Sequence, residues 1–333
     1  MNPDVAAELN AYACLLCGGR LRHWMTYPCD CERPQDPRPY ELYWCDACNF
    51  GQLQPRPSQS EVDSFYQNYY THAPAEAQTP EARRRARAQR SFSERVRERL
   101  AWWSDRGSDM DADFIHQLVR GRPSSICDLG CGEGKLLAEL RDCGHRVVGL
   151  EPDPVTLELA VARGLSAYAG HAERPPEPIR SDTFDVIVLC HVLHLCLDPL
   201  RVVQIARKLL RPGGLIVCET TNNEALGLRQ QGPCWWWLDM PRHVDLFTAA
   251  SLERLVASAG FEVKRIDFTG YTRQFKRPWL EAEATKRAAL YPSWRAGRIW
   301  QSLKNWFLLA RTALARPERK YDSVRVVAEA GAG

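Results

Sequence analysis

A glycine-rich segment directly after an apolar run constrains the fold of this chain more than any other feature. Residues 127–134 read Cys-Asp-Leu-Gly-Cys-Gly-Glu-Gly and open a stretch with helical apolar spacing. Alternate glycines let the backbone turn sharply and approach a ligand closely, and the N-terminus of the following helix favours a negatively charged group such as a carboxylate. Glu151 ends the next apolar run, where an acidic side chain can accept hydrogen bonds from ribose hydroxyls. The pattern therefore predicts a nucleoside-binding site.

The spacing of these glycines favours a ligand without a pyrophosphate. Dinucleotide-binding enzymes typically carry the pattern G-x-G-x-x-G, in which the backbone cradles the pyrophosphate. Here Gly130, Gly132 and Gly134 form G-x-G-x-G, so the third glycine comes one residue early.

The pattern from residue 124 onward is typical of an α/β fold, because short apolar runs alternate with amphipathic helical stretches. Strands are predicted at 126–129, 147–150, 167–169, 184–189 and 215–219, with two further candidates at 261–268 and 323–328. Composition divides the 333 residues into a Cys-, Pro- and Gly-rich module at 12–57, a helical connector at 58–120 and the α/β domain at 121–333. A basic, tryptophan-rich helical insertion is predicted within that domain at about 275–318.

Paired cysteines in the first module predict a structural zinc site. Cys14 and Cys17 form one C-x-x-C pair, and Cys45 and Cys48 form the second. This spacing lets each turn direct two thiolates at a tetrahedral zinc ion. Four protein ligands leave no open coordination position, so the metal is expected to stabilise folding rather than to activate water.

Two further cysteines leave the ligand set open. Cys29 and Cys31 lie between the two pairs, and a second zinc ion or an alternative ligand set is compatible with the sequence. The remaining alternative is that all six thiols of this region are simply reduced.

The chain resembles class I S-adenosylmethionine-dependent methyltransferases in several consecutive segments. Residues 128–134 resemble motif I of that class, and four later segments resemble its ribose-binding strand end, its adenine loop, its fourth strand and the turn before its fifth strand: 149–153, 170–173, 184–187 and 211–214. The stretch 43–70 is similar to the zinc-ribbon leader of some bacterial sugar and glycan methyltransferases. The resemblance implies a Rossmann-like sheet of parallel strands with an antiparallel C-terminal strand, and S-adenosylmethionine as the cofactor.

The resemblance also implies the residues that bind the cofactor. The glycine loop would approach its amino acid portion with Asp128 supporting the loop, the second strand end would hold the ribose, and the 170–173 loop would lie beside adenine. His191, after the fourth strand, would border the methionine arm. The implied set is Asp128, Gly130, Gly132, Gly134, Glu151, Pro152, His171, Ala172 and His191.

A tryptophan-rich segment after the fifth strand is the predicted acceptor side, because loops at the carboxyl ends of parallel strands face the ligand crevice. His243 is the candidate base and Arg242 the candidate ligand for a phosphate or carboxylate, with Trp237 in an apolar wall. Ubiquinone-type relatives carry an acidic residue followed by His after strand four, whereas this chain reads His194-Leu195. Metal-assisted catalysis is therefore not inferred.

The predicted acceptor is a small molecule such as a sugar, nucleotide-sugar, glycan or natural-product precursor. The net charge of +3 is too small to indicate a polyanionic partner, and the chain is expected to be cytoplasmic because it contains no apolar run of about 18 residues. The oligomeric state is not predicted.

Two alternative functions remain open at this stage. An RNA methyltransferase would use the arginine-rich stretch Arg83, Arg84, Arg85, Arg87, Arg90, Arg95, Arg97 and Arg99. A non-catalytic protein would recruit a partner through the zinc module. An amphipathic stretch at 299–314 can also touch a membrane interface, although such helices more often pack on the core.

Overall fold

The computed structural model describes residues 12–31, 38–66, 91–107, 110–293 and 298–331. Within them lie the strands β1 (Arg22–Tyr27), β2 (Tyr40–Cys45), β3 (Phe50–Gln54), β4 (Ser125–Leu129), β5 (Arg146–Glu151), β6 (Ala167–Ala169), β7 (Phe184–Cys190), β8 (Leu210–Thr221), β9 (Asp245–Leu246), β10 (Phe261–Thr269) and β11 (Ser323–Ala330).

The described helices precede, connect and follow these strands. They are α1 (Gln59–Tyr66), α2 (Phe92–Ser104), α3 (Ala112–Leu118), α4 (Lys135–Asp142), α5 (Pro154–Ala162), α6 (Glu177–Arg180), α7 (Pro199–Leu209), α8 (Leu226–Gln231), α9 (Ala249–Ser258), α10 (Arg277–Leu290), α11 (Arg298–Ala313) and α12 (Pro317–Lys320). Short 3-10 helices lie at Leu193–Leu195, Gly232–Cys234 and Thr272–Phe275.

Seven strands form the large sheet in the order β10-β11-β8-β7-β4-β5-β6. The five strands β4 to β8 are parallel, and β11 is antiparallel to both of its neighbours. β7 is almost completely buried because helices cover both faces of the sheet, and its sequence is accordingly a continuous apolar run. This confirms the predicted Rossmann-like fold with an antiparallel C-terminal strand.

One predicted turn is instead part of a strand. Residues 211–214 were expected to form the turn before the fifth parallel strand, but they lie within β8. The pairing register with β7 shifts between Phe184 and Val186, so the extra residues bulge out of the ladder. Gly213 has a φ of 75°, which a glycine accommodates without strain.

A second, antiparallel sheet has the order β1-β2-β3-β9. Its fourth strand, β9, comes from the region after the fifth parallel strand, and Gly51 pairs with Leu246. Two hydrogen bonds extend the contact: the Leu53 amide donates to the Val244 carbonyl at 2.9 Å, and the Thr248 hydroxyl donates to the Asn49 carbonyl at 2.9 Å. The sheet therefore crosses the domain boundary predicted at residue 57.

A buried ion-pair cluster joins the same two regions of the chain. Arg242 is 1% exposed and donates to both carboxylate oxygens of Asp30, at 2.6 and 3.0 Å. Its guanidinium also donates to both oxygens of Asp239, at 2.9 and 3.0 Å. Although burial opposes ionisation, the charges of Lys286 and Arg242 lower the pKa of Asp239. The cluster therefore stays charged while it is buried.

Replacing Arg242 with Met should strongly destabilise the folded protein. The substitution removes the guanidinium from two buried carboxylates, Asp30 and Asp239, and leaves Asp239 with only the more distant Lys286 ammonium at 4.0 Å. Breaking a buried ion pair typically costs about 3–5 kcal/mol. Urea denaturation measures the free energy of unfolding. The matched control is Arg22→Met at the exposed Arg22–Asp46 pair, where a loss below about 1 kcal/mol is expected. Equal losses in the two variants would contradict the importance of the buried cluster.

Candidate active site and metal centre

The glycine loop turns at the carboxyl end of β4, as the spacing predicts. The amides of Gly130 and Cys131 both donate to the Leu150 carbonyl, at 2.8 and 2.9 Å. Gly130 has a φ of 107°, and a Cβ at this position would overlap the side chain of Val192. Only glycine therefore allows the loop to lie this close to the neighbouring segment.

Glu151 lies at the end of β5 and faces the same loop. One of its carboxylate oxygens accepts from the Gly132 amide at 2.9 Å, and the other accepts from the Asp153 amide at 3.0 Å. Burial raises the pKa of Glu151. Pro152 follows it on the surface. The carboxylate thus lies beside the glycine loop, at the position predicted for a ribose.

Asp128 is a buried acid with an incomplete set of partners. Its Oδ1 atom has no hydrogen-bond partner among the described residues. Burial, together with the charge of Glu151, raises the pKa of Asp128 to about 7. A buried carboxylate oxygen without a partner is rare in a purely structural role and is typical of a ligand site. The amino group and ribose of S-adenosylmethionine fit these two acids.

The loop after β6 completes the edge of this crevice. Ala172 is buried, and Nε2 of His171 lies 3.5 Å from Oδ1 of Asp63 on α1. Glu173 anchors the loop by accepting from the Leu197 amide at 3.0 Å. The predicted adenine loop is therefore placed beside Glu151, since β5 and β6 are neighbouring parallel strands.

His191 follows β7 in a backbone conformation that is unusual for a residue with a side chain. Its φ is 57°, and such strained positions cluster at functional sites. The ring stacks on Trp237 with centroids 4.9 Å apart, and its Nε2 lies 3.5 Å from Oε1 of Glu219. Burial opposes ionisation of Glu219, but the hydrogen bond to His191 and the charge of Arg325 lower its pKa to about 2. The histidine therefore faces an ionised carboxylate.

Two further histidines, His194 and His243, lie deeper in the protein than His191. His194 and His243 are 2% and 5% exposed, with ring centroids 4.2 Å apart. Nδ1 of His194 lies 2.8 Å from the Thr220 hydroxyl oxygen. Burial penalises the charged ring and lowers the pKa of His243 to about 4, and burial likewise lowers the pKa of His194. His243, the predicted base, is thus a neutral side chain in the interior of the protein, in contact with His194.

An aromatic pocket lies on the acceptor side of His191. A cavity of about 230 Å³ is lined by Trp236, Trp237, Arg273, Lys276, Pro278 and Trp279. The ring of Trp279 lies 5.2 Å from that of Trp236 and 5.8 Å from that of Trp237, and the Arg273 guanidinium lies 5.1 Å from the Trp237 ring. We call this cavity the tryptophan pocket.

The structure places Arg242 away from the pocket, so its predicted acceptor-binding role is not supported. Its guanidinium is directed at the carboxylates of Asp30 and Asp239 inside the protein. Arg273 and Lys276 are the cations that line the pocket instead. No sequence pattern marks these two residues, because they lie about 30 residues further along, near the start of the predicted insertion, and only the fold brings them to the pocket.

The four predicted zinc ligands converge. The sulfur atoms of Cys14, Cys17, Cys45 and Cys48 all lie within 4.8 Å of one another, with 3.6 Å between those of Cys17 and Cys45. These separations suit four thiolates at Zn–S distances of about 2.3 Å. The Leu16 amide donates to the Cys14 sulfur, and the Gly19 amide donates to the Cys17 sulfur, both at 3.4 Å.

Cys29 and Cys31 do not join this group. The Cys31 sulfur lies 3.5 Å from the Tyr27 hydroxyl, and both cysteines pack among the aromatic residues around Trp235. Cys190, His191 and Glu219 also bring potential ligand atoms within 4.8 Å of one another. The Glu219 carboxylate pairs with the Arg325 guanidinium at 2.6 Å, so its negative charge is already neutralised within the protein.

Most of the arginine-rich stretch that was considered for RNA binding lies outside the described residues. Arg83, Arg84, Arg85, Arg87 and Arg90 lie outside the described residues. No helix in the described part of the chain is long and apolar enough to cross a membrane.

The strand order and the glycine loop together define a Rossmann-like fold. A family model described as "Methyltransferase domain" matches residues 93–266, which is more than half of the 333 residues. The chain belongs to this family, and its large sheet is that of a class I S-adenosylmethionine-dependent methyltransferase domain.

Individual relatives are distant. The chain is 29% identical over 155 residues to a protein of Mycolicibacterium smegmatis named a probable S-adenosylmethionine-dependent methyltransferase, covering 45% of this chain and 58% of that protein. It is 28% identical over 177 residues to a ubiquinone biosynthesis O-methyltransferase of Cereibacter sphaeroides, covering 50% of this chain and 69% of the relative. A solved S-adenosylmethionine-dependent methyltransferase from Mesorhizobium loti is 17% identical with a TM-score of 0.43, over 66% of this chain and 99% of that one.

Proposed function

We propose that this protein transfers a methyl group from S-adenosylmethionine to a small-molecule acceptor in the tryptophan pocket. The observation that carries the proposal is the pair of buried acids, Asp128 and Glu151, beside the glycine loop. Oδ1 of Asp128 has no hydrogen-bond partner among the described residues, and the two carboxylates match the amino and ribose groups of the cofactor. His191 and Trp237 connect this crevice to the pocket.

Each implied cofactor residue has a distinct task in this proposal. The bound cofactor supplies a methyl group on a sulfonium sulfur, and the protein aligns the acceptor with it. Asp128 and the glycine loop hold the amino acid portion, and Glu151 holds the ribose. Ala172 and His171 border adenine, with Pro152 supporting the strand end.

The tryptophan pocket supports a cyclic acceptor with an anionic group. Flat aromatic faces such as Trp236 and Trp279 pack well against sugar or aromatic rings. Lys276 adds positive charge for a phosphate or carboxylate, whereas the Arg273 guanidinium is paired with the Asp322 carboxylate at 2.6 Å. A sugar, nucleotide-sugar, glycan or natural-product precursor meets both conditions. Relatives named O-methyltransferases favour oxygen as the methylated atom.

We propose His191, rather than the predicted His243, as the group that accepts the acceptor proton. Its side chain is 22% exposed, and its Nε2 atom lies 3.5 Å from the Glu219 carboxylate. His243 is buried, and its lowered pKa makes proton uptake unfavourable at neutral pH. In transfer to a hydroxyl, the oxygen–methyl bond forms as the methyl–sulfur bond breaks, and the hydroxyl proton passes to the base.

Replacing Glu151 with Ala should weaken binding of S-adenosylmethionine and S-adenosylhomocysteine by roughly 10- to 100-fold, because hydrogen bonds to a charged group are lost. Isothermal titration calorimetry measures both affinities. Glu151→Gln keeps the side-chain shape, and Glu158→Ala on α5 is the matched control for an exposed acid. Unchanged affinity in both Glu151 variants would refute the ribose assignment, and absence of binding by the wild type would refute the proposed function.

Replacing His191 with Gln should lower the transfer rate by roughly 10²- to 10⁴-fold, the usual contribution of a general base. Affinity for the cofactor should change much less. The assay uses radiolabelled S-adenosylmethionine with a panel of nucleotide-sugars, glycans and hydroxylated aromatic compounds. His243→Gln is the matched variant and should retain transfer if it folds normally by circular dichroism. Selective loss of transfer in His243→Gln would restore the original assignment.

We further propose that Cys14, Cys17, Cys45 and Cys48 hold one structural zinc ion in the reducing cytoplasm. The ion would fix the two turns that flank the antiparallel sheet. That sheet includes Asp245 and Leu246, so the metal stabilises the segment that follows the tryptophan pocket.

The double substitution Cys14→Ser and Cys45→Ser should remove the zinc and lower the melting temperature. Elemental analysis gives the zinc content, and tryptophan fluorescence reports the environment of the aromatic residues. Cys29→Ser with Cys31→Ser is the matched control and should keep one zinc per chain. Loss of zinc only in the control pair would show that the ligand set is different.

A further inference from the structure

Two neighbouring helices expose large apolar side chains. On α2, Phe92, Trp102 and Trp103 are 76%, 58% and 65% exposed. On α11 and directly after it, Leu303, Phe307 and Leu314 are 56%, 59% and 97% exposed. The helices contact each other, since the Trp306 indole donates to the Ser93 hydroxyl at 3.1 Å. Large apolar side chains exposed on two contacting helices mark an interaction surface. We call these six exposed residues the apolar face.

Arginines accompany the aromatic residues of the apolar face. The Arg99 guanidinium lies 5.1 Å from the Trp102 ring, and the Arg311 guanidinium lies 5.4 Å from the Phe307 ring. Arg95 is exposed and lies one helical turn from Phe92 and from Arg99, on the same side of α2. Aromatic and aliphatic side chains beside arginines are typical of helices that lie in a membrane interface and attract anionic lipids.

The charge of this face helps to identify its partner. Two copies of the chain meeting through the same face would bring their arginines together, which is unfavourable. An anionic lipid surface instead accepts the indole and phenyl rings at the headgroup level while it neutralises the arginines. The face therefore fits a bilayer surface better than a second copy.

A crevice leads from the apolar face toward the tryptophan pocket. A cavity of about 650 Å³ is lined by Trp102 and Trp103 on one side and by Arg106, Arg273 and Lys276 among its other residues. Arg273 and Lys276 also line the tryptophan pocket, so the two cavities adjoin. A molecule at the face would thus lie next to the route into the proposed acceptor site.

We propose that the apolar face seats this protein on the surface of a membrane containing anionic lipids. The aromatic side chains insert at the headgroup boundary, and the arginines contact lipid phosphates. This docking does not depend on the proposed methyl transfer, because it uses exposed residues outside the cofactor crevice.

Vesicle co-sedimentation of the full-length protein tests the proposal. Vesicles of phosphatidylcholine with phosphatidylglycerol should bind the wild type, and vesicles of phosphatidylcholine alone should bind it at least about tenfold more weakly. The triple variant Trp102→Ser, Trp103→Ser and Phe307→Ser should lose at least about tenfold in binding to the anionic vesicles.

The matched control replaces exposed apolar residues on another helix. Val155, Leu159 and Val161 on α5 are 53%, 48% and 52% exposed, and their replacement with Ser should leave vesicle binding unchanged. A charge variant, Arg99→Glu with Arg311→Glu, should lose binding to the anionic vesicles while its thermal melt stays cooperative. Circular dichroism and calorimetric binding of S-adenosylmethionine verify that each variant is folded.

Three results would overturn the proposal. The first is no binding of the wild type to anionic vesicles. The second is an equal loss of binding in the α5 control, which would indicate non-specific adsorption. The third is a dimer, seen by sedimentation equilibrium without lipid, that dissociates in the Trp102–Trp103–Phe307 variant, since the face would then join two copies. Failure of cofactor binding with vesicle binding retained would affect only the proposed methyl transfer.

Discussion

The interaction between Arg242 and its two carboxylates determines how the remainder of this structure fits together. An arginine that is almost fully buried needs hydrogen-bonded anions around it, because the desolvation cost of an uncompensated charge is several kcal/mol or more. Asp239 is local in sequence, but Asp30 comes from the cysteine-rich N-terminal region. The cluster can form only when that region is docked. The bidentate geometry therefore fixes both the position and the orientation of the N-terminal region against the segment that carries Trp237.

Two buried acids of the large sheet, Glu219 and Asp128, differ in the charges that surround them. Glu219 is neutralised by Arg325, and its pKa is low. Asp128 has a like charge, Glu151, as its main electrostatic neighbour, and its pKa is raised. The charge of Glu219 is therefore compensated within the protein. The arrangement at Asp128 is unfavourable without a cationic or hydrogen-bonding ligand, and this difference supports the proposed cofactor site at the carboxyl edge of β4 and β5.

The sequence predicts local features well because their signals are local. All seven strands of the large sheet occur at the predicted positions, although β8 also includes the predicted turn at 211–214, and the glycine loop turns as its spacing requires. The docked strand β9 was not predicted, since a two-residue strand has no periodicity of its own and depends on Gly51 and Gln52 across the sheet. His243 was chosen as a base from its position after a strand. Its depth is set by packing against His194, which no spacing pattern reveals.

Helix α10 supports the residues that line the tryptophan pocket. The Lys286 ammonium on α10 donates to the carbonyls of Trp236 and Leu238, at 2.9 and 3.0 Å, and Trp279 on the same helix donates to Glu283 at 2.9 Å. Burial raises the pKa of Glu283 to about 8, so near neutral pH this carboxyl is mostly protonated and adds little negative charge beneath the indoles. The indoles therefore form a preorganised, nearly neutral surface on the inner side of the pocket. In the proposed function, the ring of the acceptor packs against these indoles, and its anionic group lies toward Lys276, which lines the same pocket.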